Sequence, residues 1–289
     1  VAPESEAHHT PFWIWPLLLL IVSFVIGVIA IPAGIGGGVL FVPIVSSFFP
    51  FHLDFVRCAA LLTALAASVA AGPRLLRSGS ASLRAALPVA LVTSSFSIVG
   101  AMIGLALPSD VIRVLLGVVI LGIVVLMLLA RRTAFPHVPE SDRLSQAMRI
   151  HGLYRLDPLA EPVEWRIHRT PLGLGLFVIV GLLAGMFGLG AGWANVPVLN
   201  LVMGMPLKTA VGTSVTLLAV TDSSAAWIYI NSGAVIPMIV VPSVVGMMLG
   251  SRVGVKLFHR LKPRAVRYVV LVVLSLAGLR SLLGGLGVM

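Results

Sequence analysis

Two glycine-rich breaks interrupt the apolar sequence at matching places. The first has the sequence GIGGG at residues 34–38, and the second has GLGAG at residues 188–192, 154 positions later. A proline follows five residues after each last glycine, at Pro43 and Pro197. Paired Gly/Pro interruptions in the two halves of a duplicated membrane protein are typical of a transporter's binding site. The breaks therefore predict a carrier.

The composition predicts a membrane protein. Of the 289 residues, 58% are hydrophobic and only 10% are charged, which is too few polar side chains for the surface of a water-soluble domain. Several of the apolar stretches reach the roughly 20 residues that span a hydrocarbon core. The stretches are residues 12–31, 39–51, 55–71, 81–107, 111–130, 172–187, 193–205, 211–230, 234–249 and 266–283. This pattern predicts an all-α polytopic fold with about 8–10 membrane segments.

An internal duplication divides the chain. A shift of 154 aligns a collinear series of small residues and prolines, including Gly27 with Gly181 and Pro88 with Pro242. We therefore predict a first transmembrane repeat at 12–130 and a second at 171–289. A polar linker at 131–170 joins them, and residues 1–11 form a tail.

The distribution of basic residues predicts that the repeats are inverted. If each repeat crosses the membrane an odd number of times, 17 of the 20 Lys and Arg residues share one face, and only Arg57, Arg113 and Arg280 fall opposite. The positive-inside rule then makes the linker cytoplasmic and both termini external. The same rule accounts for the net charge of +10, so no nucleic-acid partner is predicted.

Each repeat should contain a broken helix. A single helix over residues 12–51 would be about 60 Å long, twice the hydrocarbon thickness. A reversal at the glycines is therefore predicted. The sequence leaves open whether the short helices after the breaks cross fully or form re-entrant hairpins.

The breaks themselves are the predicted binding site. Glycine leaves backbone N–H groups uncovered, and helices that begin there direct their positive ends at the break, where an anion would bind. The alternative is close helix packing through small residues. Hydroxyl side chains on the following helices could add neutral donors, unless they bond within their own helix. The predicted substrate contacts are Gly36, Gly37, Gly38, Thr63, Gly190, Ala191, Gly192, Asn195, Thr213 and Ser214.

Three charged residues have two interpretations each. Asp222 lies within an apolar segment, where it would either carry a coupling proton or be held by neighbouring hydroxyls. Arg57 and Lys208 precede equivalent helices and would either attract anions or extend to the membrane surface. No catalytic residue, cofactor or metal ligand is predicted. Gly212, Thr213 and Ser214 fit a loose serine-protease pattern, but every histidine lies in a tail, the linker or near a segment end.

The motifs resemble those of the TauE/SafE family of sulfite exporters. The resemblance rests on residues 188–192 with Val196 and Pro197, on the run MPLKTAVGTS at residues 205–214, and on the first copy at residues 34–43. It departs from the family pattern at Ala191, at residues 58–63 and in the long linker.

The resemblance implies a function as well as a fold. It implies a secondary carrier for sulfite, sulfonates such as sulfoacetate, or related organic anions in the bacterial inner membrane. The partners would be a small anion and the lipid bilayer, and the oligomeric state stays undetermined. Proton coupling through Asp222 is a separate hypothesis that rests on the position of this residue in an apolar segment. The alternatives are an anion channel, a transporter of non-sulfur organic anions and, last, an intramembrane protease.

Overall fold

The computed structural model describes residues 13–33, 36–129, 136, 138, 140–154, 163–257 and 263–286. The tail at 1–11, Gly34 and parts of the linker lie outside the described residues. Ten helices form the membrane body in this part of the chain. They are α1 (Ile14–Ala33), α2 (Gly38–Phe48), α3 (Leu53–Arg77), α4 (Leu83–Ala106), α5 (Ser109–Leu129), α7 (Thr170–Phe187), α8 (Gly192–Pro197), α9 (Leu207–Asn231), α10 (Pro237–Leu257) and α11 (Pro263–Gly285).

The helices have the length and composition that a bilayer requires. Five spans in the described residues are long and apolar enough to cross a membrane, and they lie in α3, α4, α5, α7 and α10. The chain is thus an all-α polytopic membrane protein, as predicted. Helix α9 has 25 residues but is rich in hydroxyl groups, which are tolerated because it packs against α3, α4 and α8.

Between α5 and α7 the linker forms a small structure of its own. It contains α6 (Arg143–Ala147) and an antiparallel hairpin of β1 (His151–Tyr154) and β2 (Val163–Arg166). The Thr170 hydroxyl at the start of α7 donates to Asp142 Oδ1 over 2.8 Å. Burial alone would raise the pKa of Asp142, but hydrogen bonds from Thr170 and Ser145 outweigh it and lower the pKa.

Helices of each half pack against helices of the other half, so the two halves do not form separate bundles. Helix α1 packs along α10, and α4 packs along α7, which is the symmetry-equivalent pair. Both contacts are close because glycines face backbone: a methyl group on Gly250 would overlap Phe24 O, and one on Gly185 would overlap Ser97 O. Small residues at such positions let membrane helices approach closely. Neither half could therefore fill these interfaces alone.

Equivalent helices of the two halves run antiparallel. In the α5–α11 pair, Gly117 faces Leu282 while Gly285 faces Val114, so residue numbers rise along one helix as they fall along the other. In the α3–α9 pair, Arg57 near the start of α3 contacts Tyr229 near the end of α9. Equivalent helices of opposite direction require a two-fold axis across the helices. The repeats are therefore inverted, as the charge distribution predicted.

Both short helices turn back instead of crossing. The Trp15 ring at the start of α1 lies 5.6 Å from the Phe49 ring just after α2, so this hairpin opens on one face. In the second repeat, His168 N donates to Met203 O over 3.0 Å, which brings the end of the α8 segment back to the start of α7. We call the face that holds the start of α7 the linker face and the opposite one the far face. The segments that the sequence left open are thus re-entrant hairpins from opposite faces.

The hairpin geometry predicts a specific crosslink. In a Cys58→Ala background, which removes the single cysteine, Trp15→Cys and Phe49→Cys should react together with a short bis-maleimide because α2 returns to the face where α1 begins. The control pair Trp15→Cys with Ser78→Cys spans opposite faces and should not crosslink. Mass spectrometry of the peptides reads the result, and crosslinking of the control pair alone would contradict the hairpin.

Candidate functional site

The tips of the two hairpins meet inside the protein. A methyl group on Gly38 would lie 2.6 Å from Leu189 O, and one on Gly36 would lie 3.7 Å from Gly192 Cα. A distance of 2.6 Å is shorter than real Cβ atoms show, so position 38 has no room for a side chain. Helix α2 has 11 residues, about 16 Å at the standard rise, which is roughly half the hydrocarbon core. The two breaks thus form one buried centre.

Two helices begin at this centre. Gly36 and Gly190 occupy equivalent positions with φ values of +73° and +68°, a conformation that glycine adopts without strain. Helix α2 starts two residues after the first and α8 two residues after the second, and neither start has a side-chain cap. The free backbone N–H groups and the positive ends of both helices therefore face the centre. An anion bound there would accept hydrogen bonds from these N–H groups.

One face of α9 lies over the two breaks. Ser214, Leu218 and Asp222 are four residues apart and share that face. A methyl group on Gly36 would lie 3.1 Å from Leu218 Cδ1, and one on Gly190 would lie 3.1 and 3.2 Å from the two oxygens of Asp222. The structure thus brings Asp222 directly against the second break. Sequence reasoning identified Asp222 as unusual but could not give it this neighbour, and it missed Leu218.

Several buried polar atoms on α8 and α9 lack partners, and those of Asp222 lie against the second break. Both Asp222 oxygens, both amide atoms of Asn195 and the Ser214 hydroxyl are buried without a hydrogen-bond partner among the described residues. Asp222, Asn195 and Ser214 are fully buried. Buried polar groups are nearly always satisfied in native proteins, so orphaned ones require an explanation. A bound substrate or a proton on the carboxyl group would satisfy them.

The two breaks differ at two positions, Ile35/Leu189 and Gly37/Ala191, and a neighbouring helix compensates for the second difference. Gly37 leaves room for the Met247 side chain of α10, because a methyl group there would lie 2.8 Å from its sulfur atom. The second break has Ala191 at the equivalent position. The residue equivalent to Met247 is the smaller Thr93. The site is therefore asymmetric, with a flexible thioether against the first break.

Two of the predicted hydroxyl contacts have bonds elsewhere. The Thr63 hydroxyl donates to Ala60 O within its own helix over 2.8 Å. Thr213 accepts a bond of 3.0 Å from the backbone N–H of Ser82, which fixes the start of α4. Their predicted role in substrate binding stays a prediction. In the described part of the chain, no group of three or more His, Cys, Asp or Glu side chains could hold a metal ion.

Arg57 lies at the end of α7 and binds backbone carbonyls. It is 2% exposed, and Nη1 donates to Met186 O over 2.9 Å and to Gly104 O over 3.1 Å. It also pairs with Asp54, and Tyr229 adds a bond to Gly185 O over 3.0 Å. Cations and donors at a helix C-terminus satisfy its last carbonyls and its negative end. Lys208, the equivalent residue, is exposed.

The family comparison agrees with the motifs. The model of the family described as sulfite exporter TauE/SafE matches residues 19–281. A probable membrane transporter protein of Bacillus subtilis is 22% identical over 93% of this chain and 98% of its own length. A probable membrane transporter protein of Methanocaldococcus jannaschii is 25% identical over 92% of this chain and 95% of its own. No solved structure matches the chain significantly.

Substitution of Gly190 should abolish function at the centre. A methyl group at Gly190 both strains the backbone and presses on the Asp222 carboxyl group, whereas Gly233→Ala adds the same strain at φ +76° with no atom within 4 Å. Each variant should lose about 1 kcal/mol from the strain. We expect anion flux in proteoliposomes to fall at least tenfold only in Gly190→Ala. Equal flux in the two variants would argue against a site at this break.

Substitution of Arg57 should destabilise the fold. Arg57→Met leaves the carbonyls of Met186 and Gly104 without their donor, which should cost about 2–4 kcal/mol. Lys208→Met, at the exposed equivalent position, should be nearly neutral. Thermal unfolding in detergent measures both. If Arg57→Met kept full stability but lost anion flux, attraction of the substrate would be its role instead.

Proposed function

Because the chain belongs to the TauE/SafE family of membrane transporters, we propose that it is a secondary carrier of small sulfur-containing anions. The substrates in this proposal are sulfite and sulfonates such as sulfoacetate, bound where the two hairpin tips meet. The observation that carries it is the unpartnered Asp222 carboxyl group against Gly190, where two uncapped helix starts meet. A small oxyanion offers the acceptors that backbone N–H groups and the Asn195 amide lack.

Asp222 is the coupling group in this proposal. A buried carboxylate without a partner is costly, and no described cation pairs with it. The group is therefore stable there when it is protonated, and a protonated carboxyl group donates to an oxyanion instead of repelling it. One proton would then move with each anion. Ionisable residues at such depth commonly carry protons in transporters.

Alternating access follows from the inverted repeats. The two hairpins enter from opposite faces, and their symmetry lets either face open while the other closes around the same centre. In the structure the described tip residues Gly36, Gly38, Gly190 and Gly192 are buried, which corresponds to an occluded centre. We place the linker face in the cytoplasm because the basic residues share this face. We place the protein in the bacterial inner membrane because the family resemblance implies it.

The buried centre favours a carrier over an anion channel. A channel needs a continuous water-filled path, whereas the two tips are in backbone contact. The centre does not select sulfur anions over carboxylates by charge alone, so a transporter of non-sulfur organic anions is the second candidate. A catalytic role forms no part of this proposal, since the relatives are transporters by name.

Counterflow tests the proposal directly. Proteoliposomes loaded with unlabelled sulfite should take up labelled sulfite in a saturable manner, because a carrier exchanges substrates across the membrane. Sulfoacetate should compete, and acetate serves as the non-sulfur comparison. Flux without trans-stimulation would favour a channel, and preferential stimulation by acetate would favour the second candidate.

Asp222→Asn separates coupling from binding. The amide keeps a neutral donor but carries no proton, so counterflow should persist while accumulation driven by a pH gradient is lost. Ser223→Ala, the neighbouring exposed hydroxyl on α9, is the matched control and should retain both activities. Unchanged gradient-driven accumulation in Asp222→Asn would exclude Asp222 as the coupling group.

A further inference from the structure

Three cationic side chains converge in one cavity at the linker face. The cavity has a volume of about 310 Å³ and is lined by Ala70 and Arg74 of α3 and by Arg252 and Lys256 of α10. Each of the three ion pairs in the described part of the chain involves other cations, so none of these three is neutralised by a carboxylate within 4 Å. The cavity therefore carries an uncompensated positive charge.

Along the membrane normal, the cavity lies between the level of the hairpin tips and the linker face. Helix α10 runs toward the linker face, and its Met247 contacts the first break at Gly37. Arg252 and Lys256 follow five and nine residues later, about 7 and 14 Å further along the helix. Helix α3 runs in the same direction beside α10 and supplies Arg74 in its last turn. An anion that approaches from the linker face would therefore meet the field of the three cations before it reaches the level of the tips.

The symmetry-equivalent place at the far face has no such group among the described residues, although Arg113 and Arg280 line a separate far-face cavity of about 230 Å³ beside the end of α2. The two-fold relation maps α10 onto α4, where the positions equivalent to Arg252 and Lys256 are Ile98 and Met102. The far-face cavity between α3, α4 and α9 has a volume of about 500 Å³. Its described lining includes the carboxylate of Asp54, which pairs with Arg57, and no Lys or Arg side chain. The two symmetry-equivalent cavities are thus electrostatically different although the repeats are symmetric.

We propose that Arg74, Arg252 and Lys256 form an anion-binding vestibule that captures the substrate oxyanion at the linker face before it reaches the hairpin tips. This inference rests on the proposed transport function and adds a second site to it. Convergent cations in a cleft raise the local concentration of an anion and its rate of arrival. The carrier consequently has a lower KM for the anion at the linker face than at the far face.

The positive-inside rule explains basic residues at this face but not their convergence. Arg77 provides the test of that difference, because it lies in the same last turn of α3 as Arg74 but does not line the cavity. Arg74 and Arg77 would contribute equally if their role were to orient the protein in the membrane or to neutralise the negative C-terminal end of the α3 dipole. A vestibule depends only on Arg74, Arg252 and Lys256.

Transport measured separately from each face tests the proposal. The variants Arg74→Gln and Arg252→Gln/Lys256→Gln are compared with Arg77→Gln in proteoliposomes of defined orientation, at low and high ionic strength. We expect the KM for sulfite at the linker face to rise at least roughly threefold in the vestibule variants and to lose most of its salt dependence. The KM at the far face and both values for Arg77→Gln should stay unchanged.

The remaining outcomes would overturn the proposal. They are an equal effect of Arg77→Gln, an equal change at both faces, an unchanged KM in the vestibule variants, or complete loss of flux in a folded variant. Binding of sulfite to the purified protein is measured in parallel, so that the vestibule has a readout even if no flux occurs and the transport proposal fails. Salt-sensitive binding that is lost only in the vestibule variants supports the site.

A phospholipid headgroup offers the same phosphate-like chemistry as a free oxyanion. Wild-type protein is therefore reconstituted in phosphatidylcholine alone and with added phosphatidylglycerol. A KM at the linker face that does not depend on lipid composition supports capture of the substrate. A KM that rises with phosphatidylglycerol in the wild type but not in Arg252→Gln/Lys256→Gln would assign the cavity to lipid and overturn the proposal.

Discussion

The structure depends on a backbone contact between two glycine breaks in the interior of the membrane domain. Gly38 lies so close to Leu189 O that no side chain would fit there, and Gly36 lies beside Gly192. Each break reverses the chain, so the contact also determines where both half-length helices begin. Their uncovered N–H groups then face the same small volume. The proposed binding centre is therefore a consequence of how the hairpins meet.

The inverted arrangement follows from exchanged packing between the halves. Glycines at 185 and 250 bring α7 against α4 and α10 against α1, so each half completes the other. The same symmetry places equivalent routes on opposite faces of the centre. The charged residues do not follow that symmetry, because Arg252 and Lys256 occur where the other repeat has Ile98 and Met102. A symmetric backbone can thus carry an asymmetric electrostatic field.

Buried polar groups in this protein have two different roles. Arg57 is enclosed but paired through its two Nη atoms, which serve the carbonyl oxygens of Met186 and Gly104 and the Asp54 carboxylate, and only its Nε lacks a partner among the described residues. Asp222 is equally enclosed and has no described partner. Burial alone does not separate a structural group from a functional one. The presence or absence of a partner does, and it separates the support at α7 from the centre at the tips.

The sequence by itself determined the membrane class, the duplication, the inverted topology and the two reversals, because hydrophobic length, glycine geometry and basic-residue distribution are local or additive properties. It also identified Asp222 and Asn195 as polar residues in apolar segments. Only the tertiary structure decided that the reversals are re-entrant, that Asp222 faces Gly190, and that Arg57 supports α7 while Lys208 stays exposed. Those outcomes depend on which helices pack together across more than a hundred residues of chain, and contacts of that kind have no local signature.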